Sequence, residues 1–355
     1  MGPVSVSHEK RRYRMKRKIM IVCVIAFLVF PTLLFAAGKV ESPASAEKTF
    51  NIVFTTASVT EEAHSKVLVE FVKPRLEELT GGRVTLEVHD SSSLFSQDDE
   101  LPATIRGNAT MCYTDGTWLA TYMPSTSMFS AGYIFKDLDH MNKVLNGPIG
   151  EELFESVAQK VGVRPLASYY IGSRTINLKN PKPAMTPADL KGVKLRMPNS
   201  EAWLMLGKAL GANPTPVAFS ELYTALATGT VDGQDNPLTA TEEGKFYEVT
   251  KSIALTNHQI GTVWPAINEA FWQSLGPELQ PLVKQAFVEG IEYNNNIVKG
   301  KEASLVAFFR SQGLTVANPD VSAFKKQVND YYLQQKDFIK DWDMDLFDRI
   351  KKMAE

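Results

Sequence analysis

Cysteine is nearly absent from this chain: of 355 residues only Cys23 and Cys112 carry a thiol. Cys23 sits inside an apolar N-terminal run and Cys112 stands alone in the strand-like Thr110-Met111-Cys112-Tyr113, so no internal disulfide is expected and Cys112 reads as a packing residue. The five histidines, His8, His64, His89, His140 and His258, are scattered singly with no i,i+4 pair, which leaves a zinc or other metal site without ligands. No G-x-x-x-x-G-K-[ST], G-x-G-x-x-G or G-x-S-x-G occurs, so nucleotide, dinucleotide and serine-hydrolase chemistry lack their minimum parts and no cofactor is expected. Adjacent acids in Asp98-Asp99-Glu100 point apart on a helix, and an acid-rich helix start is ordinary, so they do not read as an acid–base pair. No nucleophile–base pair is legible either, and an enzyme is not the expectation.

What is present begins with a targeting pattern. Lys10, Arg11, Arg12, Arg14, Lys16, Arg17 and Lys18 precede an almost uncharged run from Ile19 to Phe35, the layout of a secretory signal. Cleavage fits best after Ala44-Ser45-Ala46, making residues 1–46 a signal peptide and the protein periplasmic. The alternative, an uncleaved anchor, is opposed by Pro31 and by a run shorter than the roughly 20 apolar residues a span needs. Without that segment 30 basic residues face 38 acidic ones, so no basic excess points to nucleic acid, and nothing after residue 46 is long and apolar enough to cross a bilayer.

The rest of the chain, 44% hydrophobic overall, alternates short β-rich runs with helical patterns. Ile52–Thr56, a helix over Glu61–Leu79 stopped by Gly81-Gly82, Val84–Val88, a helix over Asp98–Ile105 and Met111–Tyr113 follow βαβ grammar, which predicts a largely parallel sheet covered by helices. A helix over Glu151–Val161 follows, then strands over Pro165–Ile171 and Thr175–Leu178. Thr186-Pro187-Ala188-Asp189 has the chemistry of a helix start. Further strands are expected at Val193–Met197, Thr230–Gln234, Ile253–Thr256 and Thr262–Ile267, with helices at Glu201–Leu210 and Ser220–Ala227. From Pro277 to about Arg310 runs a helical pattern roughly 45 Å long at about 1.5 Å per residue. That exceeds one small domain, so it should lie across two. A last helix starts near Val321.

Arg196 ends an apolar strand, so its guanidinium should project from the carboxyl edge of the sheet, where open α/β sheets bind ligands. The planar fork of arginine matches a carboxylate with two parallel hydrogen bonds. Taken singly, Arg196 reads as a surface ion pair, Asn236 as a turn residue before Pro237 and Phe219 as core.

Their company changes that reading. Thr80-Gly81-Gly82-Arg83-Val84, Gly172-Ser173-Arg174-Thr175-Ile176-Asn177, Asp189 to Asn199, Pro214 to Tyr223 and Thr230-Val231-Asp232-Gly233-Gln234-Asp235-Asn236-Pro237 together resemble the periplasmic substrate-binding subunits of TRAP (tripartite ATP-independent periplasmic) transporters, over essentially residues 47 to 340. The resemblance implies an α/β, two-domain periplasmic binding protein of the Venus-flytrap kind, with an interdomain cleft and a long domain-spanning helix. Domain I would comprise 47–171 plus about 262–301, and domain II 172–261 plus about 302–355. It further implies Arg196 as principal carboxylate clamp, Asn236 as the amide beside it, Arg174 as a second cleft arginine, Asn199 as a secondary polar contact, Phe219 as the aromatic against the ligand, and Asp115 as a pocket carboxylate from the first domain. Ala57 stands where sialic-acid-binding relatives carry an asparagine, the loop Ser91–Gln97 lacks the family's usual glycine-containing turn, and Trp118 adds bulk near Asp115, so sialic acid is not the default ligand. Trp118, Tyr169, Tyr170 and Trp264 are candidates for an aromatic pocket end.

The expected function is therefore a monomeric receptor that captures a small organic acid and delivers it to the small and large membrane subunits of an ion-gradient-driven TRAP transporter. The alternatives are a ligand-sensing partner for a membrane receptor, and a secreted enzyme acting on a carboxylated substrate.

Overall fold

The first strand, β1 (Phe50–Thr55), turns Ile52 and Phe54 inward, and the helix that follows presents Leu68, Val72 and Leu76 at spacings of four to meet them. These elements belong to a computed structural model that describes residues 48–354. The expected signal peptide, with Cys23, lies outside the described residues. The helix runs as α1 (Ala63–Val67), one π-helical turn (Leu68–Val72) and α2 (Lys73–Thr80). Gly81, left-handed at φ 60°, ends it, with the Gly82 N–H on the Glu77 carbonyl at 2.8 Å.

The chain continues through β2 (Val84–His89), α3 (Glu100–Ile105), β3 (Met111–Thr114), α4 (Gly116–Leu119), α5 (Leu138–Leu145), α6 (Pro148–Val161), β4 (Val163–Pro165) and β5 (Tyr169–Leu178). Next come β6 (Lys194–Met197), α7 (Glu201–Ala209), β7 (Asn213–Pro216), α8 (Leu222–Thr228), β8 (Gly233–Pro237), α9 (Leu238–Glu243) and β9 (Ser252–Asn268). The chain closes with α10 (Glu269–Ser311), β10 (Thr315–Ala317), α11 (Val321–Gln334), α12 (Lys336–Ile339) and α13 (Met344–Lys352).

Among the described residues the strands form one sheet in the order β2-β1-β3-β9-β5-β8-β6-β7, with β4 and β10 also on β9. The expected parallel pairing holds at both ends, in β2-β1-β3 and in β8-β6-β7, where helical crossovers join the strands. Its middle is antiparallel, because β9 and β5 run through it in opposite directions and link the two ends. The architecture is two α/β lobes on one mixed sheet.

Those linking strands correct the sequence reading. Pro165–Ile171 and Thr175–Leu178 are not two strands: Pro165 ends β4, while Tyr169 to Leu178 is continuous. Gly172 at φ 113° absorbs a register shift that reads as a break in sequence. Likewise Ile253–Thr256 and Thr262–Ile267 belong to one 17-residue strand. The polar stretch between them stays in the strand because His258 and Gln259 are buried and bonded to Asp235 and to the Ser130 carbonyl. The strand expected over Thr230–Gln234 lies instead at Gly233–Pro237, which delivers Asn236 at its end.

α10 confirms the long helix. Gly276 (φ 75°, ψ 170°) breaks its first turns, and Pro277 then starts a straight run to Ser311, about 50 Å at about 1.5 Å per residue. It is tied to β5 along its length: Tyr169 Oη donates to the Phe287 carbonyl at 2.7 Å, Asn294 Nδ2 to the Tyr170 carbonyl at 2.7 Å, and the Ser173 N–H to Glu302 at 3.0 Å.

Gly172 tests this linkage. A Cβ there would stand 2.7 Å from the Pro237 side chain in a backbone conformation that side chains rarely adopt. Gly172→Ala is expected to lower stability by about 1–3 kcal/mol, measured by urea unfolding; a loss within error would mean that the bulge relaxes freely.

Candidate functional site

Parallel strands leave their carboxyl ends unpaired at a common edge, and here the ends of β1, β3, β6 and β8 meet around one cavity of about 100 Å³. Of the expected site residues, Arg196, Arg174, Asn236, Phe219 and Asp115 line it. Asn199 does not: it is exposed, and its Nδ2 donates to Asp98 Oδ2 at 3.0 Å, so it bridges two loops outside the cavity.

Arg196 is 1% exposed. Its Nε donates to the Val217 carbonyl at 2.8 Å and its Nη2 to Gln97 Oε1 at 3.2 Å, while no carboxylate among the described residues lies within ion-pairing distance. Burial lowers its pKa to about 9, which still leaves the group charged at neutral pH. Phe219, half-buried, places its ring 5.9 Å from the guanidinium, and its N–H donates to the same Gln97 oxygen at 3.0 Å.

Arg174 is of a different kind. Its Nε and Nη2 take Asp235 Oδ2 and Oδ1 at 3.1 and 3.0 Å, and Nη2 also reaches the Asp235 carbonyl and Asn236 Oδ1. His258 Nε2 adds a bond to Asp235 at 2.9 Å, and Thr256 Oγ1 holds the other ring nitrogen at 2.8 Å. Burial works against the Asp235 charge, yet Arg174 and His258 keep its pKa below the usual carboxylate value. Trp203, set by the Ser200 N-cap of α7, stacks on Arg174 with the ring 4.4 Å away. The net effect is a neutralised arginine fixed in place, whose Nη1 has no hydrogen-bond partner among the described residues.

Asn236 spends one N–H on Gln234 Oε1 at 2.6 Å and its oxygen on Arg174, which leaves a second N–H for the cavity. Asp115 caps α4, accepting from the Thr117 and Trp118 N–H groups at 2.7 and 3.0 Å and from the Thr117 hydroxyl, and burial raises its pKa. Of the proposed aromatics only Trp118 lines the cavity; Tyr169, Tyr170 and Trp264 are core residues.

Several lining residues escaped the sequence reading: Gln97, Trp203, Ser58, Glu62, His64 and Glu243. For Ser58, Glu62, His64 and Gln97 the position after β1 or β2, at the carboxyl edge, was the available signal, whereas Trp203 and Glu243 arrive on α7 and α9, after β6 and β8. Burial lifts Glu62 to about 8, helped by the nearby Glu243, and Glu243 itself to about 7 beside Lys301. Ser58 Oγ and His64 Nε2 stand 2.6 Å apart, a contact the sequence did not reveal because the turn into α1 creates it. It is a poor nucleophile–base pair, since Glu62 approaches the same nitrogen, at 3.8 Å, rather than orienting Nδ1, and burial drops the ring's pKa to about 3.

The model of the bacterial extracellular solute-binding protein family 7 matches residues 55–338. The sialic acid-binding periplasmic protein of Vibrio cholerae is 33% identical over 257 residues, covering 72% of this chain and 79% of that protein. A TRAP periplasmic solute-binding protein of Roseobacter denitrificans, solved with bound 3-deoxy-D-manno-oct-2-ulosonic acid, superposes with a TM-score of 0.82 at 36% identity, covering 86% of this chain and 100% of that one. Another from Roseobacter denitrificans, with bound L-galactonate, gives 0.78 at 28% identity, covering 87% and 99%.

The low pKa of His64 has a consequence for stability. An unfolded histidine takes a proton near pH 6.5, whereas folded His64 refuses it until about pH 3. Its contribution is therefore full above the unfolded value and is lost as pH falls toward the folded one, by up to about 1.4 kcal/mol per pH unit. His64→Gln is expected to flatten the stability loss between about pH 6 and about pH 4 in a pH series of urea unfolding; an unchanged slope would show that the ring titrates normally in the fold.

Proposed function

Because this chain belongs to the bacterial extracellular solute-binding proteins of family 7, we propose that it is a periplasmic receptor, not an enzyme, that grips a small organic acid by its carboxylate and hands it to TRAP membrane subunits. The observation that carries this is Arg196, a buried, charged guanidinium that faces the cavity with no carboxylate among the described residues within ion-pairing distance. A desolvated cation of this kind gains most from an incoming carboxylate, which offers two parallel bonds and the missing charge. Asn236 supplies an amide N–H beside it, Arg174 a positioned edge, and Phe219 a face that keeps water out. The names of the relatives, which bind sialic acid or sugar acids, agree with an acid as ligand.

Capture and closure fit together. Gln97 and Asp98, on the loop before α3, bond Arg196, Phe219 and Asn199 from the other lobe. A ligand that touches both sides at once favours the closed state by its differential affinity. The lobes in this reading are 47–171 plus about 262–301 and 172–261 plus about 302–355, the receptor is a monomer, and the closed form is what the small and large membrane subunits recognise.

Arg196→Ala and Arg196→Lys should each weaken acid binding by about 100-fold or more, since lysine lacks the planar fork. In Arg196→Ala the thermal midpoint of the free protein should hold or rise, because a buried unpaired charge is removed. Calorimetry across a panel of organic acids checks this, and unaltered affinity in either variant would end the clamp assignment. Asn236→Ala should cost less, about 1–3 kcal/mol of binding.

A further inference from the structure

Beside the cavity that Arg196 faces lies a second chamber of about 70 Å³. Its walls come from the loop after β1 (Thr56, Ala57 and Ser58), the first turn of α3 (Glu100) and the end of β3 (Thr114). Ser58, Gln97, Asp115, Trp118 and Val263 line both spaces, so the two adjoin. One water needs only about 15 Å³ measured this way, so the chamber has room for a larger group.

Two of its walls carry polar atoms with nothing to bond. Glu100 is 6% exposed and Thr114 1%, and among the described residues neither Glu100 Oε1 nor Thr114 Oγ1 has a hydrogen-bond partner. Orphaned buried polar atoms are costly and rare, and two around one space point to a group that completes them. Burial pushes the Glu100 pKa well above the carboxylate range, which favours the protonated acid; the Ala57 N–H bonds the carboxyl, so what the open Oε1 offers the chamber is an O–H donor. An alcohol hydroxyl, itself donor and acceptor, matches both Glu100 and Thr114. An alkyl chain would leave both atoms bare. A second carboxylate would be desolvated there with no cation among the chamber's lining residues to balance its charge.

We infer that this chamber is a subsite in which Glu100 and Thr114 hydrogen-bond a hydroxyl at the end of the ligand remote from its Arg196-bound carboxylate, and which rejects a second carboxylate there. The inference rests on the receptor reading above and adds the chemistry of the far end of the ligand.

Calorimetry with aldonates of four to seven carbons, and with the unsubstituted alkanoates and alkanedioates of matched length, tests it. One or more aldonates should bind about 100-fold tighter than either counterpart. Glu100→Leu and Thr114→Val should each shrink that ratio by about 10-fold or more, whereas the near-isosteric Glu100→Gln, which guards against a folding artefact, should largely keep it. An alkanoate or alkanedioate that binds as tightly as the aldonate overturns the subsite. So does a ratio that survives Glu100→Leu, which would mean that the chamber holds only water. Arg196→Ala, by contrast, should weaken every series alike; if wild-type protein binds none of the three series, the receptor reading falls and the subsite with it.

Discussion

A guanidinium enclosed by protein without a carboxylate beside it is held against its own desolvation cost, and the structure around Arg196 is organised to bear that cost. The Val217 carbonyl and the Gln97 side chain satisfy two of its donors, and Phe219 covers one side, but its charge stays unbalanced. Arg174 makes the contrast. Equally buried, it is cancelled by Asp235, which bonds His258, whose other ring nitrogen bonds Thr256. The two arginines therefore differ in kind: one is a charge-cancelled part of the wall, and the other carries a charge that no carboxylate among the described residues pairs.

The fold delivers these groups because the carboxyl ends of two parallel strand sets face each other across linking strands shared by both lobes. Arg174 lies on one of those strands, β5, and His258 on the other, β9, so the buried charge network sits where the lobes join. α10 runs along β5, with bonds from Tyr169, Tyr170 and Ser173 to residues of the helix from Phe287 to Glu302. The cavity that Arg196 faces is also lined by Glu62, Asp115 and Glu243, whose pKa values burial raises.

Much of this was legible in the chain. The βαβ alternation gave both parallel ends, the unbroken helical pattern after Pro277 gave α10, and five of six expected site residues meet in one cavity. Asn199 was the exception, because residue spacing places a side chain on an edge without saying which neighbour it will bond. The crossing strands were misread for a related reason. Gly172 and the polar run through His258 and Gln259 carry turn chemistry, and only their buried partners, far away in sequence, keep them in strands.

The amino-acid order by itself determined what kinds of group were available: arginines at strand ends, a dearth of thiols and paired histidines, and a hydrophobic rhythm that could only be satisfied by packed helices over a sheet. Local periodicity and side-chain chemistry are properties of neighbouring residues, and they survive without coordinates. Which arginine keeps its charge free, which acids lose theirs, and the contact between Ser58 and His64 were decided only by the tertiary structure. Those outcomes depend on desolvation and on distances between segments remote in sequence, and both come into being when the chain closes on itself.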